Sequence, residues 1–516
     1  MIRGAVHLRP QHTFCISELC KEKRHRLTEE RSVIARLYML CQGILPISPK
    51  NLYCRFCETR YYHNYRVEKY HDTETNRDGT RRIYEDYMAS DIYQITQSQW
   101  VHRELMDFFQ AQMAFSHASA ESICRIYNAA LAHPTGVGIS GGRLKDEMGA
   151  RLVYDAFFTL SCWHSLNERG FPFVTPNHDD LHARLLPPLR LQNHLMRGTG
   201  QEMWAHRCKG CMKMTRIDGV ARFSTAGVTD GVTIGHNRCT IEGVCMKPLQ
   251  NSQSQFCEEH SYKGEECFIL DCCTRRLHRC MSCGNPDHMA AEEALPQNTR
   301  KSIMENLRHF EHAAGVASSS ADDESPHLHT KKYVARKVTH NDQLVVYACG
   351  IIAARTTMYN SEGIVEVKNF LKSVFPAEYP GAMPSFLFYD NNCQLLQHLT
   401  ATGDLHFARC GLPVDVFHFR KHKDSDSFCA LYCNPAKFPE LLSHDGHDYV
   451  FNSSVAEQVN RWYGRFQAIT REMSADRYNF YLDEMIAIRN QWLVQQLRLK
   501  GWCPLILPMD ILLGRD

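Results

Sequence analysis

Val228–Cys239 reads VTDGVTIGHNRC. The surrounding stretch, Ala221–Gly235, has the β-branched and small residues of a strand, and Asp230 falls near its end. Directly behind it come Cys239-x5-Cys245, Cys257-x2-His260, Cys267-x4-Cys272 and Cys283-x4-His288. Thiolate sulfur and imidazole nitrogen are borderline-soft donors, and four of them close a tetrahedral structural zinc site. We assign Cys239, Cys245, Cys257 and His260 to one ion, and Cys267, Cys272, Cys283 and His288 to a second. Cys273 and Cys280 are competing ligands. Four protein donors leave no open position for water, so these ions are expected to hold the fold rather than run a reaction. A zinc module set on the end of an acidic strand is expected to be an insertion within a larger domain that uses carboxylates.

Composition sets the compartment. The chain has 516 residues, 44% of them hydrophobic and 22% charged, with a formal charge of +2. It holds no uninterrupted apolar run of transmembrane length, so no membrane partner is expected. The first residues, MIRGAVHLRPQHTF, contain no apolar run of signal-peptide length. Ten of the 23 cysteines lie between Cys208 and Cys283. In a reducing compartment, C-x2-C pairs with interleaved histidines read as zinc ligands rather than disulfides. A net charge near zero says nothing about nucleic acid for the whole chain. Contacts with it would have to come from local basic stretches at 207–222, 331–337 and 420–423.

Outward from the decisive stretch, residues 1–70 read as a small metal-ribbon unit. Cys15-x4-Cys20, an amphipathic stretch (Val33, Leu37, Leu40) and Cys54-x2-Cys57 supply four thiolates for one ion. Tyr-rich strands follow, then a helical region from Trp100 to about Gln201. Cys208-x2-Cys211 lacks a local partner pair, and Cys429-x3-Cys433 is the nearest in spacing style, so the two pairs are taken together as a further zinc site. A helix is expected over Ala290–His312, then a flexible linker, AAGVASSSADDESPHLH. Beyond it come strands at Leu344–Ala354, Ser385–Asp390 and Val414–Phe417. Helices are expected at Val365–Val374, Ser454–Met473 and Tyr478–Leu499. Such alternation favours a layered α/β sheet domain.

Three carboxylates stand out. Asp230 lies in its strand-end motif, Asp390 ends SFLFYD, and Glu457 lies early in NSSVAEQVNRWYGRF. In that helix Val455, Val459, Trp462 and Phe466 form one apolar stripe, which leaves Glu457 pointing away from it. Carboxylates converging at the end of a sheet can hold two divalent ions, and such a pair drives phosphodiester displacement. An all-oxygen site suits magnesium or manganese. His418-x3-His422 lies near this proposed centre and could hold a metal or a phosphate.

These residues resemble a known family. TDGVTIGH with its Cys/His cluster is similar to the cysteine-cluster domains found in fungal genomes with Kyakuja–Dileera–Zisupton (KDZ) transposases. The run from FCISELC to YCRFC looks like the companion N-terminal cluster. FLFYDNNCQL, VFHFRKHKDSDSFCALYCNP and VAEQVNRW resemble core motifs of the transposase itself. The resemblance implies an RNase H-like fold with an Asp-Asp-Glu centre that cuts and joins DNA, with Asp230, Asp390 and Glu457 in those three roles. Spacing agrees. Asp230 and Asp390 are 160 residues apart, and removing 238–335 leaves roughly 60, a plausible run for the intervening strands and a helix.

The expected plan is a zinc-ribbon-like unit (1–70), Tyr-rich strands and a helical region (71–205), and the first strands of an α/β, RNase H-like core (206–237). A two-zinc insertion (238–290), a helix and linker (291–335) and the remainder of the core with its C-terminal helix (336–500) follow. The expected function is DNA strand cleavage and transfer on element ends, in the nucleus, by an active, decayed or domesticated transposase derivative. Double-stranded DNA is the expected partner, and a homo-oligomer is compatible with it. The alternative is a non-enzymatic zinc protein that binds DNA or protein through its clusters, with an inactive core. A zinc-dependent ubiquitin ligase is disfavoured, because the ligand spacings lack the interleaved order such domains need.

Overall fold

A computed structural model describes residues 6–20, 22–30, 34–72, 76–132, 147–217, 220–241, 245–247, 249, 254–269, 272–294, 338–419, 427–443 and 445–515. The linker, most of the expected Ala290–His312 helix and the basic stretches 331–337 and 420–423 lie outside these residues. The chain divides into two units, Met1–Leu195 with Phe480–Arg489, and Met196–Asn479 with Asn490–Asp516. Both mix strands and helices.

In the first unit, one sheet runs Val6–Leu8, Gly43–Pro49, Ala35–Met39, Gln99–His102, Ile92–Gln94. The amphipathic stretch around Leu37 is thus a strand, with Leu37 buried beside Trp100. A second sheet is built on the hairpin Tyr65–Asp72/Arg77–Tyr84, and short strands at Leu52–Tyr53 and Arg60–Tyr61 bracket Cys54 and Cys57. Helices Arg103–Ser116, Ala120–Ile126, Ala150–Glu168 and Leu181–Leu195 follow. Asp180 accepts from the backbone N–H groups of His182 and Ala183 and so caps the helix Leu181–Leu195.

The second unit is organised by Val220–Val232. Its first half forms a hairpin with Met212–Ile217. Its second half pairs antiparallel with Asn341–Tyr347, which pairs antiparallel with Ile352–Met358. On the same long strand, Ala226–Val228 pairs parallel with Phe386–Phe388. Phe386 in turn bridges to Gly411 in parallel. The stretch expected as one strand, Leu344–Ala354, is therefore a hairpin. Its turn closes at Gly350, whose φ of 95° lies in the left-handed region.

Two further expectations change. Val414–Phe417 is not a strand, because Asp415 Oδ1 accepts from the N–H groups of Phe417 and His418 and starts a short helix, Val416–Phe419. The helix expected over Ser454–Met473 is Val455–Tyr463, followed by a 3-10 turn at Gly464–Phe466 and a short helix at Gln467–Thr470. Val455, Ala456, Val459 and Tyr463 are buried, and each of the two valines so removed from water contributes about 1.5–3 kcal/mol.

Candidate metal centres and an acidic pocket

Among the described residues, four Cys/His groups each bring four ligand atoms within 4.8 Å of one another. Three are the expected quartets: Cys15, Cys20, Cys54 and Cys57; Cys239, Cys245, Cys257 and His260; and Cys267, Cys272, Cys283 and His288. Of the competing ligands, Cys273 is exposed and Cys280 half-buried, and neither enters a quartet.

The fourth group corrects the sequence reading. Cys208 and Cys211 meet His206 and Cys349, not Cys429 and Cys433. Cys429 and Cys433 are buried in an apolar cluster with Cys393 and Val414. Cys349 comes from the hairpin turn that the continuous-strand reading concealed. The backbone at Gly210 passes so close that a Cβ there would stand 2.9 Å from Cys349 Cβ and 2.3 Å from the Trp502 ring, so only glycine fits.

Distances within the quartets suit zinc. Sγ–Sγ separations are 3.5 Å for Cys15–Cys57, 3.8 Å for Cys20–Cys54 and Cys208–Cys211, and 3.9 Å for Cys245–Cys257 and Cys272–Cys283. A disulfide needs about 2.05 Å. The edge of a tetrahedron with zinc–sulfur bonds of about 2.3 Å is about 3.8 Å. His260 and His288 present Nδ1 to their sulfurs at 3.2–3.5 Å. Burial pushes the thiols of Cys15 and Cys267 up to about 11 and that of Cys239 up to about 12, so a cation is what would keep such sulfurs ionised at neutral pH. These are zinc-binding clusters.

The three carboxylates singled out in the sequence lie in the second unit. The parallel register pairs Val228 with Phe388, the last residue of its strand, and Asp390 follows two residues on in the turn beyond it, where its charge acts on Asp230. Glu457 is exposed on the first turn of Val455–Tyr463, and Asn460, one turn on, donates from Nδ2 to Asp230 Oδ2 at 2.7 Å. Burial pushes the Asp230 carboxyl up to about 7, helped by the charges of Asp390, Glu362 and Glu457 and opposed by the Gly231 N–H. Burial also raises Asp390, with Asp415, Glu457 and Glu362 adding to the rise and His418 opposing it.

Sequence reasoning missed Glu362. Its Oε1 accepts from the Tyr389 hydroxyl at 3.0 Å and its Oε2 from Asn341 Nδ2 at 2.8 Å. A Cβ at Gly231 would stand 2.7 Å from Glu362 Oε2 and 2.2 Å from Asn341 Nδ2, which explains the glycine behind Asp230. Asp415 was also missed, although the Asp-x2-His spacing to His418 was available. One expected basic contact is withdrawn: Arg207 is 2% exposed and spends its guanidinium on the carbonyls of His206 and Ala382.

Known families account for both cysteine regions. Residues 3–131 match the family described as CxC5 like cysteine cluster associated with KDZ transposases, and residues 228–294 match CxC6 like cysteine cluster associated with KDZ transposases. The second match begins at Val228 and takes in Asp230 and the two quartets between Cys239 and His288. No curated protein and no solved structure matches the chain. Among the described residues no helix is long and apolar enough to cross a membrane.

Proposed function

We propose that this cysteine-cluster protein carries a transposase-derived, RNase H-like core in its second unit, which cleaves and joins DNA strands with divalent cations in the nucleus. One observation carries the reading: Asn460, on the helix that also carries Glu457, donates to Asp230 across 230 residues of sequence, and the strand that leads into Asp390 pairs with the strand that carries Asp230. Strand arrangement supports it as well. Three successive antiparallel strands and a fourth running parallel beside the first follow the order an RNase H-like sheet uses.

In this reading Asp230, Asp390 and Glu457 hold magnesium or manganese, ions suited to an all-oxygen set. The cations would activate an attacking oxygen and stabilise the leaving one. A half-open pocket suits that work, since Asp390 retains 34% of its side-chain exposure and Glu457 faces solvent. The zinc clusters fix the surrounding scaffold and present surface to the duplex. Their association with KDZ transposases makes double-stranded DNA the partner of choice.

Magnesium-dependent nicking of supercoiled plasmid, and strand joining on duplexes taken from the flanks of the chain's own gene, test the proposal. Activity in the parent and a loss of at least about 100-fold in Asp390→Asn are expected, the scale on which removing a preorganised electrostatic group acts. Equal traces from the two proteins would favour the non-enzymatic alternative.

A further inference from the structure

We propose a further cation position beside the carboxylate trio, built by Asp390, Asp415 and His418 and suited to a divalent transition metal of the manganese class. The inference deepens the proposed function and rests on its reading of Asp390. One ligand atom from each of the three residues lies within 4.8 Å of the other two. His418 Nδ1 stands 3.0 Å from Asp390 Oδ1 and 3.3 Å from Asp415 Oδ1.

Asp415 supplies the independent observation. It is 4% exposed, and its Oδ1 already accepts from the backbone N–H groups of Phe417 and His418. Its Oδ2 is buried with no hydrogen-bond partner. A buried carboxyl oxygen left without a partner is costly, and a bound cation is a partner that removes the cost. A plain ion pair with protonated His418 does not account for it. That imidazolium reaches the Oδ1 atoms of both aspartates and leaves Asp415 Oδ2 as it was.

Ligand chemistry sets the kind of ion. Two carboxylates with one imidazole nitrogen are softer than an all-oxygen set and favour manganese over magnesium. Asp390 would then be shared between the carboxylate trio and this position, where its Oδ1 meets His418 Nδ1. Asp415 and His418 become metal ligands in a place where the carboxylate trio alone assigns nothing.

Electron spin-echo spectroscopy of manganese bound to the full, zinc-loaded chain tests this. Bound manganese in the parent should show coupling to an imidazole nitrogen. The coupling should persist in Glu457→Gln and disappear in His418→Gln, and Asp415→Asn should weaken that ion by more than about tenfold, the least that losing even an outer-shell partner tends to cost. Manganese bound without nitrogen coupling in the parent, a measurement that needs no variant, would overturn the inference and leave the carboxylate reading standing. Coupling that survives His418→Gln would overturn it too. Failure of the parent to bind millimolar manganese at all would remove both.

Discussion

Asn460 Nδ2 donates to Asp230 Oδ2 at 2.7 Å, across 230 residues of sequence. The bond fastens the helix Val455–Tyr463 to the end of the long strand and brings the helix turn that carries Glu457 to the acidic pocket. A donor held against a carboxylate favours its ionised form. Removing it with Asn460→Ala should raise the Asp230 carboxyl above about 7 and move the midpoint of manganese binding to higher pH. A binding titration repeated from pH 6 to 9 checks this. Curves that superimpose for parent and variant would show that the bond does not set the ionisation of Asp230.

Asp230 also sets a pH dependence of stability. Its carboxyl is raised from an ordinary 3.8 to about 7, so the folded state favours the proton. The stabilisation is present in full below about pH 4 and is lost as pH rises through about 7. Without divalent cations, Asp230→Asn should melt a few degrees above the parent at pH 8, equivalent to ~1–2 kcal/mol after solvent screening, and should match it at pH 4. Adding manganese should raise the parent melting temperature and not that of the variant. Thermal scans at the two pH values decide it.

Zinc content tests the corrected ligand set. The four groups found among the described residues predict four zinc ions per chain by elemental analysis. Cys349→Ser should bring the count to three, as should Cys54→Ser or Cys283→Ser. Cys429→Ser and Cys433→Ser should leave it at four. The reverse pattern at Cys349 and Cys429 would restore the pairing expected from spacing alone. Each lost ion should unfold its own neighbourhood, since a structural zinc supplies on the order of 10 kcal/mol of apparent folding free energy.

The three local quartets were legible because their ligands come in short spacings that the chain returns to within a few tens of residues. The fourth was not, because Cys349 lies 138 residues beyond Cys211 and belongs to a turn hidden inside LVVYACGIIAA. All seven residues of Asn341–Tyr347 are buried, so no alternation of apolar and polar residues marks the strand's end. Only the Cys-Gly pair signals the reversal. Val414–Phe417 misled for a different reason. Its alternating valines look like a strand, but the Asp415 side chain offers the following N–H groups a helix start, and local capping outweighs propensity. The carboxylates could be named from sequence motifs, whereas Glu362 and Asn460 could not, because their roles follow from packing between distant segments.

Behind the pocket, Asp342 is fully buried and accepts at Oδ2 from the Tyr463 hydroxyl at 2.6 Å and from Arg355 Nη1 at 3.2 Å. Tyr463 ends the helix that begins with Glu457's turn, so this network fixes the far end of the element that Asn460 fixes near its middle. Tyr463→Phe deletes one donor and should cost about 1–3 kcal/mol. Arg355→Met leaves a buried carboxylate without its counter-charge and should cost more, about 3–5 kcal/mol. Asp342→Asn in the Arg355→Met background removes that stranded charge and should recover part of the loss. Denaturant melts of the parent, Arg355→Met, Asp342→Asn and the double variant form a complete cycle. Strict additivity would mean that Arg355 stabilises the sheet through packing against its neighbours rather than through Asp342. Recovery in the double variant would instead identify the charge pair as the element that holds the Glu457 helix in register with the strand carrying Asp230.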